Sequence, residues 1–273
     1  MATNDYGEPA AALTSGGRMP LLGFGTWQIS NREAAQATTY ALQAGYRHID
    51  TATMYRNESG IGKALASAAL PRESVFVTTK LPPSHAGRER RTLGESLTKL
   101  GLDYVDLWLI HWPPNGQAAP RVWHQFIRAQ QEGLTKAIGV SNYSLRQIDE
   151  LIHVTGVVPQ VNQIRWGPSL YDPAVVSGLD QRGVVLEGYS PFKVSNLHDP
   201  TLVSIAAQHD ATTAQVIVGW HIAHGFVVIP KSVRRERIVS NAAGARITLT
   251  AEEVAAIDGL SSGARAGARR RWG

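Results

Sequence analysis

Short apolar runs alternate with amphipathic stretches along most of the chain. Eight runs have the length and composition of strands: 22–26, 46–50, 75–80, 105–111, 136–141, 159–163, 184–189 and 226–230. The segments between them read as helices: 31–44, 57–69, 87–100, 118–132, 144–154, 172–182, 200–209 with 212–224, and 234–243. Ser30, Ser144, Asp172 and Thr212 stand where helix N-caps belong. Strand followed by helix, eight times over, implies parallel strands joined by right-handed crossovers. The strand middles are β-branched and apolar, as expected of strands covered on both faces.

This pattern predicts an α/β fold, a closed (β/α)8 barrel of the TIM type. The length of 273 residues suits such a barrel as one domain spanning 1–273. An open dinucleotide-binding sheet would want G-x-G-x-x-G after its first strand. Gly23 and Gly25 are there, but Gln28 occupies the third position. Two pieces lie outside the repeat. Residues 12–21 carry a Ser-Gly-Gly turn between apolar flanks and predict an N-terminal β-hairpin that closes one barrel end. Residues 251–260 predict an extra C-terminal helix, with Thr250 as N-cap and Glu253 completing a capping box.

In such a barrel the chemistry sits at the C-terminal ends of the strands. Strand two ends in Asp50, with Tyr55 in the following loop; strand three ends in Lys80 and strand four in His111. Strand five ends in Ser141-Asn142, strand six in Gln163, strand seven in Tyr189, and strand eight runs into Lys231-Ser232. Each has a plain structural reading when taken alone. Asp50 reads as a turn residue, Tyr55 as a half-buried aromatic, Lys80 as a solvated strand end and His111 as a core histidine. Together they make a proton donor. A tyrosine is a poor acid at neutral pH, an adjacent ammonium lowers its pKa, and a buried ammonium needs a carboxylate partner. Tyr55, Lys80 and Asp50 supply that chain, and His111 orients a carbonyl oxygen. None of them delivers hydride, so a nicotinamide cofactor is implied. Ile229–Ile238 adds Lys231, Arg234, Arg235 and Arg237 around a helix start predicted at Ser232, an anion site after strand eight. A solvated basic helix face is its plain alternative.

Composition narrows the class. The chain has no cysteine, which excludes thiol catalysis, thiolate zinc sites and disulfides. Its first residues have neither a basic nor an apolar leader region, and no stretch is long and apolar enough for a membrane span, so a cytoplasmic protein without membrane contact is expected. The net charge is +5, and Arg265, Arg269, Arg270 and Arg271 of the basic tail, 261–273, supply four of these charges. The tail reads as a solvated terminus, a flap over a small-molecule site or a phosphate-touching arm. No aromatic-interleaved basic stripe supports nucleic-acid binding. The phosphate-loop lookalike Gly60-Ile61-Gly62-Lys63 fails, with Asn57 at the earlier glycine position and Ala64 in place of Ser or Thr. His221 and His224 share a helix face without an acidic ligand pattern, so no metal is expected.

The segments MPLLGFGTW (19–27), GYRHIDTATMYRNE (45–58), VTTKL (77–81), DLWLIHWP (106–113), IGVSNY (138–143), VNQI (161–164), GYSP (188–191) and IPKSVRRERI (229–238) occur together and in order. In this the chain resembles the aldo-keto reductases over roughly residues 12–260, in the bacterial 2,5-diketo-D-gluconate reductase-like branch. The resemblance implies NAD(P)H-dependent reduction of aldehydes and ketones without metal. It implies Tyr55 as general acid, Lys80 lowering its pKa, Asp50 pairing Lys80 and His111 orienting the carbonyl. Ser141, Asn142 and Gln163 would hold the nicotinamide amide and Tyr189 would stack on its ring, with Thr26, Trp27 and Ser190 nearby. Lys231, Ser232, Val233, Arg237 and Asn241 would hold the adenosine phosphate end. Lys231 and Arg237 favour NADPH over NADH, because a 2′-phosphate rewards paired cations. A small-molecule carbonyl substrate would meet Trp27, Tyr55, His111 and Trp112, with Trp166, Phe192 and Trp272 as further candidates. A monomer is expected. The sequence departs from the family pattern at Arg165 and Gly167, where an acidic residue and His-Pro are common, and at Ser240, where Glu is common. The loop 191–199 is short, which implies looser clamping of the cofactor.

Overall fold

The computed structural model describes residue 3 and residues 9–261. The tail beyond Ser261, Trp272 included, lies outside the described residues. A hairpin of β1 (Ala10–Ala12) and β2 (Arg18–Pro20) opens the fold, its tip closed by Leu13 N to Gly17 O at 2.8 Å. Then follow β3 (Phe24–Gly25), α1 (Asn31–Gln43), β4 (His48–Asp50), α2 (Glu58–Ser67), β5 (Phe76–Leu81), α3 (Glu89–Leu100), β6 (Val105–Ile110) and α4 (Pro120–Gln131). The second half holds β7 (Thr135–Ser141), α5 (Leu145–Thr155), β8 (Val161–Arg165), α6 (Pro173–Asp180), β9 (Val185–Tyr189), α7 (Pro200–Gln208), α8 (Thr213–Ala223), β10 (Val227–Ile229), α9 (Arg235–Ala243) and α10 (Ala251–Asp258).

Strands β3 to β10 form one parallel sheet in sequential order. A bridge between Leu22 and Val228 joins its ends, with Gly23 N to Val228 O at 2.9 Å and Gly25 N to Pro230 O at 3.1 Å. The sheet is therefore the expected (β/α)8 barrel. Gly25 sits on this seam because a Cβ there would lie 2.7 Å from Ile229 O. β3 is two residues long, shorter than the predicted 22–26, and Leu22 takes part only through its isolated bridge to Val228. The hairpin seals the end where the strands begin: Leu13, Met19 and Leu21 pack with Phe76, Leu107, Val161 and Val227.

The helix starts follow from local chemistry. Ser30, Ser144, Asp172 and Thr212 each accept a hydrogen bond from a first-turn amide, and Ser144 and Thr212 complete capping boxes. Each such cap contributes about 1 kcal/mol. Thr250 and Glu253 form the capping box expected of α10. That helix is tied down by His209 Nε2 to Glu253 Oε1 and by His224 Nε2 and Trp220 Nε1 to Asp258 Oδ1, all at 2.8 Å. Aromatic side chains fill the layer between sheet and helices, as where Trp108 stacks on Phe126 at 3.7 Å between centroids. α9 begins at Arg235, within one residue of the predicted 234–243 but three past the start placed at Ser232, whose hydroxyl instead accepts from Arg234 N and closes a turn ahead of the helix. No helix among the described residues is long and apolar enough to cross a membrane.

Candidate active site

β4, β5 and β6 bring Asp50, Lys80 and His111 to one rim of the barrel, the end opposite the hairpin. Lys80 Nζ donates to both Asp50 oxygens, at 2.6 and 2.7 Å, and to the Thr51 carbonyl at 2.8 Å. Both side chains are buried. A short turn over Thr53–Tyr55 carries Tyr55 above the pair. Asn57 holds that turn: its Nδ2 donates to the carbonyls of Thr26 and Ile29, and its Oδ1 accepts from the Thr51 hydroxyl. Thr53 Oγ1 adds a bond to the Lys80 carbonyl at 3.0 Å. The Lys80 ammonium lies 5.1 Å from the Tyr55 ring centroid, and the His111 ring meets Tyr55 edge-on at 5.6 Å. The four residues read from the strand ends thus converge on one point.

Electrostatics separates their roles. Burial pushes the Tyr55 phenol up to about 12; Lys80 pulls it down without overcoming that effect. Burial pulls the Lys80 ammonium down, but the Asp50 carboxylate holds it above its ordinary value. Burial lowers His111 to about 3, so its imidazole is neutral at physiological pH. Its Nδ1 is buried without a hydrogen-bond partner.

Around this point stand the residues expected to meet a nicotinamide. Ser141 Oγ donates to the Gln163 carbonyl at 2.9 Å; Asn142 Nδ2 donates to the His111 carbonyl and to Ser141 Oγ. The Tyr189 hydroxyl donates to Asn142 Oδ1 at 2.9 Å, which sets the orientation of that ring. Gln163 Nε2 donates to Asp50 Oδ2 at 2.8 Å. Gln163 keeps an acceptor, and the oxygens of Ser141 and Asn142 each keep a lone pair. A carboxamide matches that set, so the residues fit the group. Asn142 and Ser190 take left-handed backbone, at φ +62° and +57°. Thr26 is fully buried, and its hydroxyl donates to the Asp50 carbonyl. At the far side, Lys231, Val233, Arg234 and Arg237 are exposed while Ser232 and Asn241 are buried. Arg234 caps α9 without a side-chain bond, leaving first-turn amides open to an anion.

Trp27 and Trp112 are 45% and 48% exposed, so both stand at the mouth rather than in the core. Trp166 does not join them. It is buried against Tyr171 and Phe226, because β8 turns it toward the helices. Gly167 follows where a Cβ would sit 2.8 Å from Val194 Cγ2, so the loop after β9 packs directly on this bend. His221 is a core residue bonded to the Ile217 carbonyl, and His224 stacks on Phe226. Two residues near the site were not singled out from the sequence. Lys193 sets its ammonium 4.5 Å from the Trp27 ring centroid, spanning the loops after β9 and β3. Glu187 is fully buried in β9. An acidic residue inside the apolar run VVLEGY was a signal for it.

The family model for the aldo/keto reductase family matches residues 21–262. An aldo-keto reductase of Mycolicibacterium smegmatis is 40% identical over 95% of this chain and 96% of its own length. Methylglyoxal reductase DkgA of Escherichia coli is 40% identical over 93% of this chain and 94% of its own length. The crystal structure of an aldo/keto reductase from Brucella melitensis superposes with a TM-score of 0.89 at 42% identity, covering 93% of this chain and 99% of that one. A Bombyx mori aldo-keto reductase in complex with NADP gives 0.86 at 34% identity, over 93% of this chain and 92% of that one. The chain belongs to the aldo/keto reductase family. Within it, the chain falls in the DkgA-like branch of these nicotinamide-dependent oxidoreductases.

Proposed function

We propose that this chain is a cytoplasmic, monomeric, NADPH-dependent reductase that converts an aldehyde or ketone to an alcohol, with Tyr55 as general acid. The observation that carries this reading is the convergence of Tyr55, His111 and the buried Lys80–Asp50 pair on one point of the barrel mouth. Bound NADPH supplies the hydride. The side chains of this protein then manage the oxygen. His111, with a pKa of about 3, holds no spare proton at neutral pH and serves as a neutral donor that aligns the carbonyl. Tyr55, at about 12, is loaded with its proton over the whole working range. When it gives that proton to the alkoxide, the phenolate left behind faces the Lys80 ammonium, and Asp50 keeps that ammonium charged. Ser141, Asn142 and Gln163 take the carboxamide, Tyr189 covers the ring, Thr26, Trp27 and Ser190 border it, and Lys231, Ser232, Val233, Arg237 and Asn241 take the phosphate end.

The relative from Escherichia coli is named a methylglyoxal reductase, so a small dicarbonyl heads the substrate panel. The test is consumption of NADPH and NADH, side by side, with methylglyoxal and a set of aliphatic and aromatic aldehydes and ketones. Turnover with NADPH exceeding that with NADH supports the reading. Failure to oxidise either cofactor with any carbonyl overturns it.

A further inference from the structure

The barrel interior is polar in two layers. The upper layer holds Asp50, Lys80, Ser141 and Gln163. Two residues earlier on β4 and β5 stand His48 and Thr78, both fully buried. β9 sets Glu187 in register with Gln163 on one side and with Val227 of β10 on the other. Glu187 is 0% exposed, and neither of its oxygens meets a donor at full hydrogen-bond geometry. His48 Nε2 lies 3.7 Å from Oε1 and bonds with Thr78 Oγ1 at 3.1 Å. His48 does not answer Glu187 as a cation, because burial takes it down to about 3 and leaves it neutral. The groups that act on Glu187 are His48 and Asp50 from β4, Lys80 from β5, Gln163 from β8 and Tyr55 from the turn after β4; Val227 on β10 is apolar. Lys80 is the one cation of this set, and both of its close contacts to carboxylate go to Asp50.

We propose that Glu187 is a positioning residue for proton donation: it lies beneath the Asp50–Lys80 pair as an uncharged carboxylic acid, and its ionisation at alkaline pH disables Tyr55 as a donor. The proposal rests on the reading of Tyr55 as the acid. With Glu187 neutral, Asp50 and Lys80 sum to zero charge, and the ammonium is available to the departing phenolate. With Glu187 ionised, the cluster carries one net negative charge in a water-poor interior. The phenolate then meets an added anion, so Tyr55 holds its proton more tightly. Burial, reinforced by Asp50 and only partly opposed by the Lys80 charge and the Gln163 amide, moves the Glu187 carboxyl up to about 8, inside the range where an enzyme is assayed.

Two measurements on the full chain test this. The first is kcat for NADPH-dependent reduction from pH 6 to pH 10, for wild type and Glu187→Gln, whose amide mimics the protonated acid. Wild type is expected to lose up to about tenfold per pH unit above the changeover, whereas E187Q stays within about threefold between pH 7 and pH 9. Superimposed profiles overturn the proposal. The second needs no variant and no turnover: infrared spectra of wild type carrying 13C in its glutamate side-chain carboxyls. A protonated-carboxyl band at pH 6.5, where ordinary carboxyls are ionised, should shift with the label and vanish by pH 10. A band that ignores the label places the proton on an aspartate, and absence of any band leaves Glu187 charged; either overturns the proposal. Wild type without turnover but with the labelled band sinks the activity reading. Turnover with superimposed profiles sinks this proposal alone.

Discussion

Gln163 on β8 donates from Nε2 to Asp50 Oδ2 on β4 at 2.8 Å, crossing the barrel interior between residues far apart in the chain. Together with the two contacts from Lys80, it leaves Asp50 no freedom to turn. The pair is buried and completely engaged, so removing one member strands the other. Asp50→Asn or Lys80→Met alone should cost about 3–5 kcal/mol in urea unfolding. The double variant should recover much of that stability and none of the reductase activity. A double variant as unstable as the singles would show that the pair is not acting as a unit.

Tyr55→Phe removes the proton and the hydroxyl's interaction with Lys80, while the ring keeps its edge contact with His111. Turnover with NADPH should fall by about 10²–10⁴. Cofactor affinity, read from quenching of tryptophan fluorescence, should stay within about threefold. Retention of wild-type kcat would remove Tyr55 from the role proposed for it.

The exposed cations after β10 make a prediction about cofactor choice. Arg237→Ala or Lys231→Ala should weaken NADPH by tenfold or more and NADH by far less, because the 2′-phosphate is the group they would meet. Added salt should narrow the gap in wild type, as these side chains are solvent-exposed. Equal losses for both cofactors would place the cations elsewhere in the binding mode.

Trp112 and Trp123 separate mouth from core. Trp123 is fully buried and bonds to the Val157 carbonyl, so Trp123→Ala should destabilise by about 3–5 kcal/mol. Trp112→Ala should cost under about 1 kcal/mol, since the side chain is half exposed, and should change KM for the carbonyl substrate. Thermal unfolding and steady-state kinetics on the same two proteins check both statements.

Stability should peak near neutrality. His48, His111 and His221 are depressed by burial, to about 3, 3 and 4. Their contribution is whole above their unfolded value of about 6.5 and is lost as pH falls below it. Glu187 has the opposite sign: raised to about 8, it contributes fully at low pH and loses that contribution as pH rises through its folded value. Three groups outweigh one between about pH 4.5 and 6.5, and Glu187 acts alone among them between 6.5 and 8. Guanidinium unfolding across pH 4.5–9 should show a rising limb, a maximum near 6.5–7 and a shallower fall. A curve still rising at pH 8.5 contradicts the neutral Glu187.

What could be read in advance was local or periodic. Ser144 and Thr212 as caps and Thr250 with Glu253 as a capping box mark helix starts within a few residues, and all three are found as capping boxes, Gln147 and Gln215 completing the first two. The order of strands follows from the strand–helix alternation, and the rim chemistry follows from which residue ends each strand. What escaped depends on partners remote in the chain. Ser232 reads as a cap until its hydroxyl is seen to close the preceding turn. Trp166 reads as a rim aromatic until Phe226 and Tyr171 are placed behind it. Nothing near Gln163 in the chain announces Asp50, and nothing near Glu187 announces His48. The net effect on Tyr55 also eluded the sequence, because the depth of burial that opposes Lys80 is set by the whole barrel.

The seam between Leu22 and Val228 has a consequence for how such a molecule comes alive. Asp50, Tyr55, Lys80 and His111 all precede the midpoint of the chain, while Ser141, Gln163, Tyr189 and the cations around α9 follow it. Under the proposed function neither half owns a whole chemistry: one would carry the proton and the other would grip the cofactor. Only when the last strand docks beside the first are the cations around α9 brought next to the strands that carry Asp50 and Lys80, so closing the ring is also what completes the proposed site.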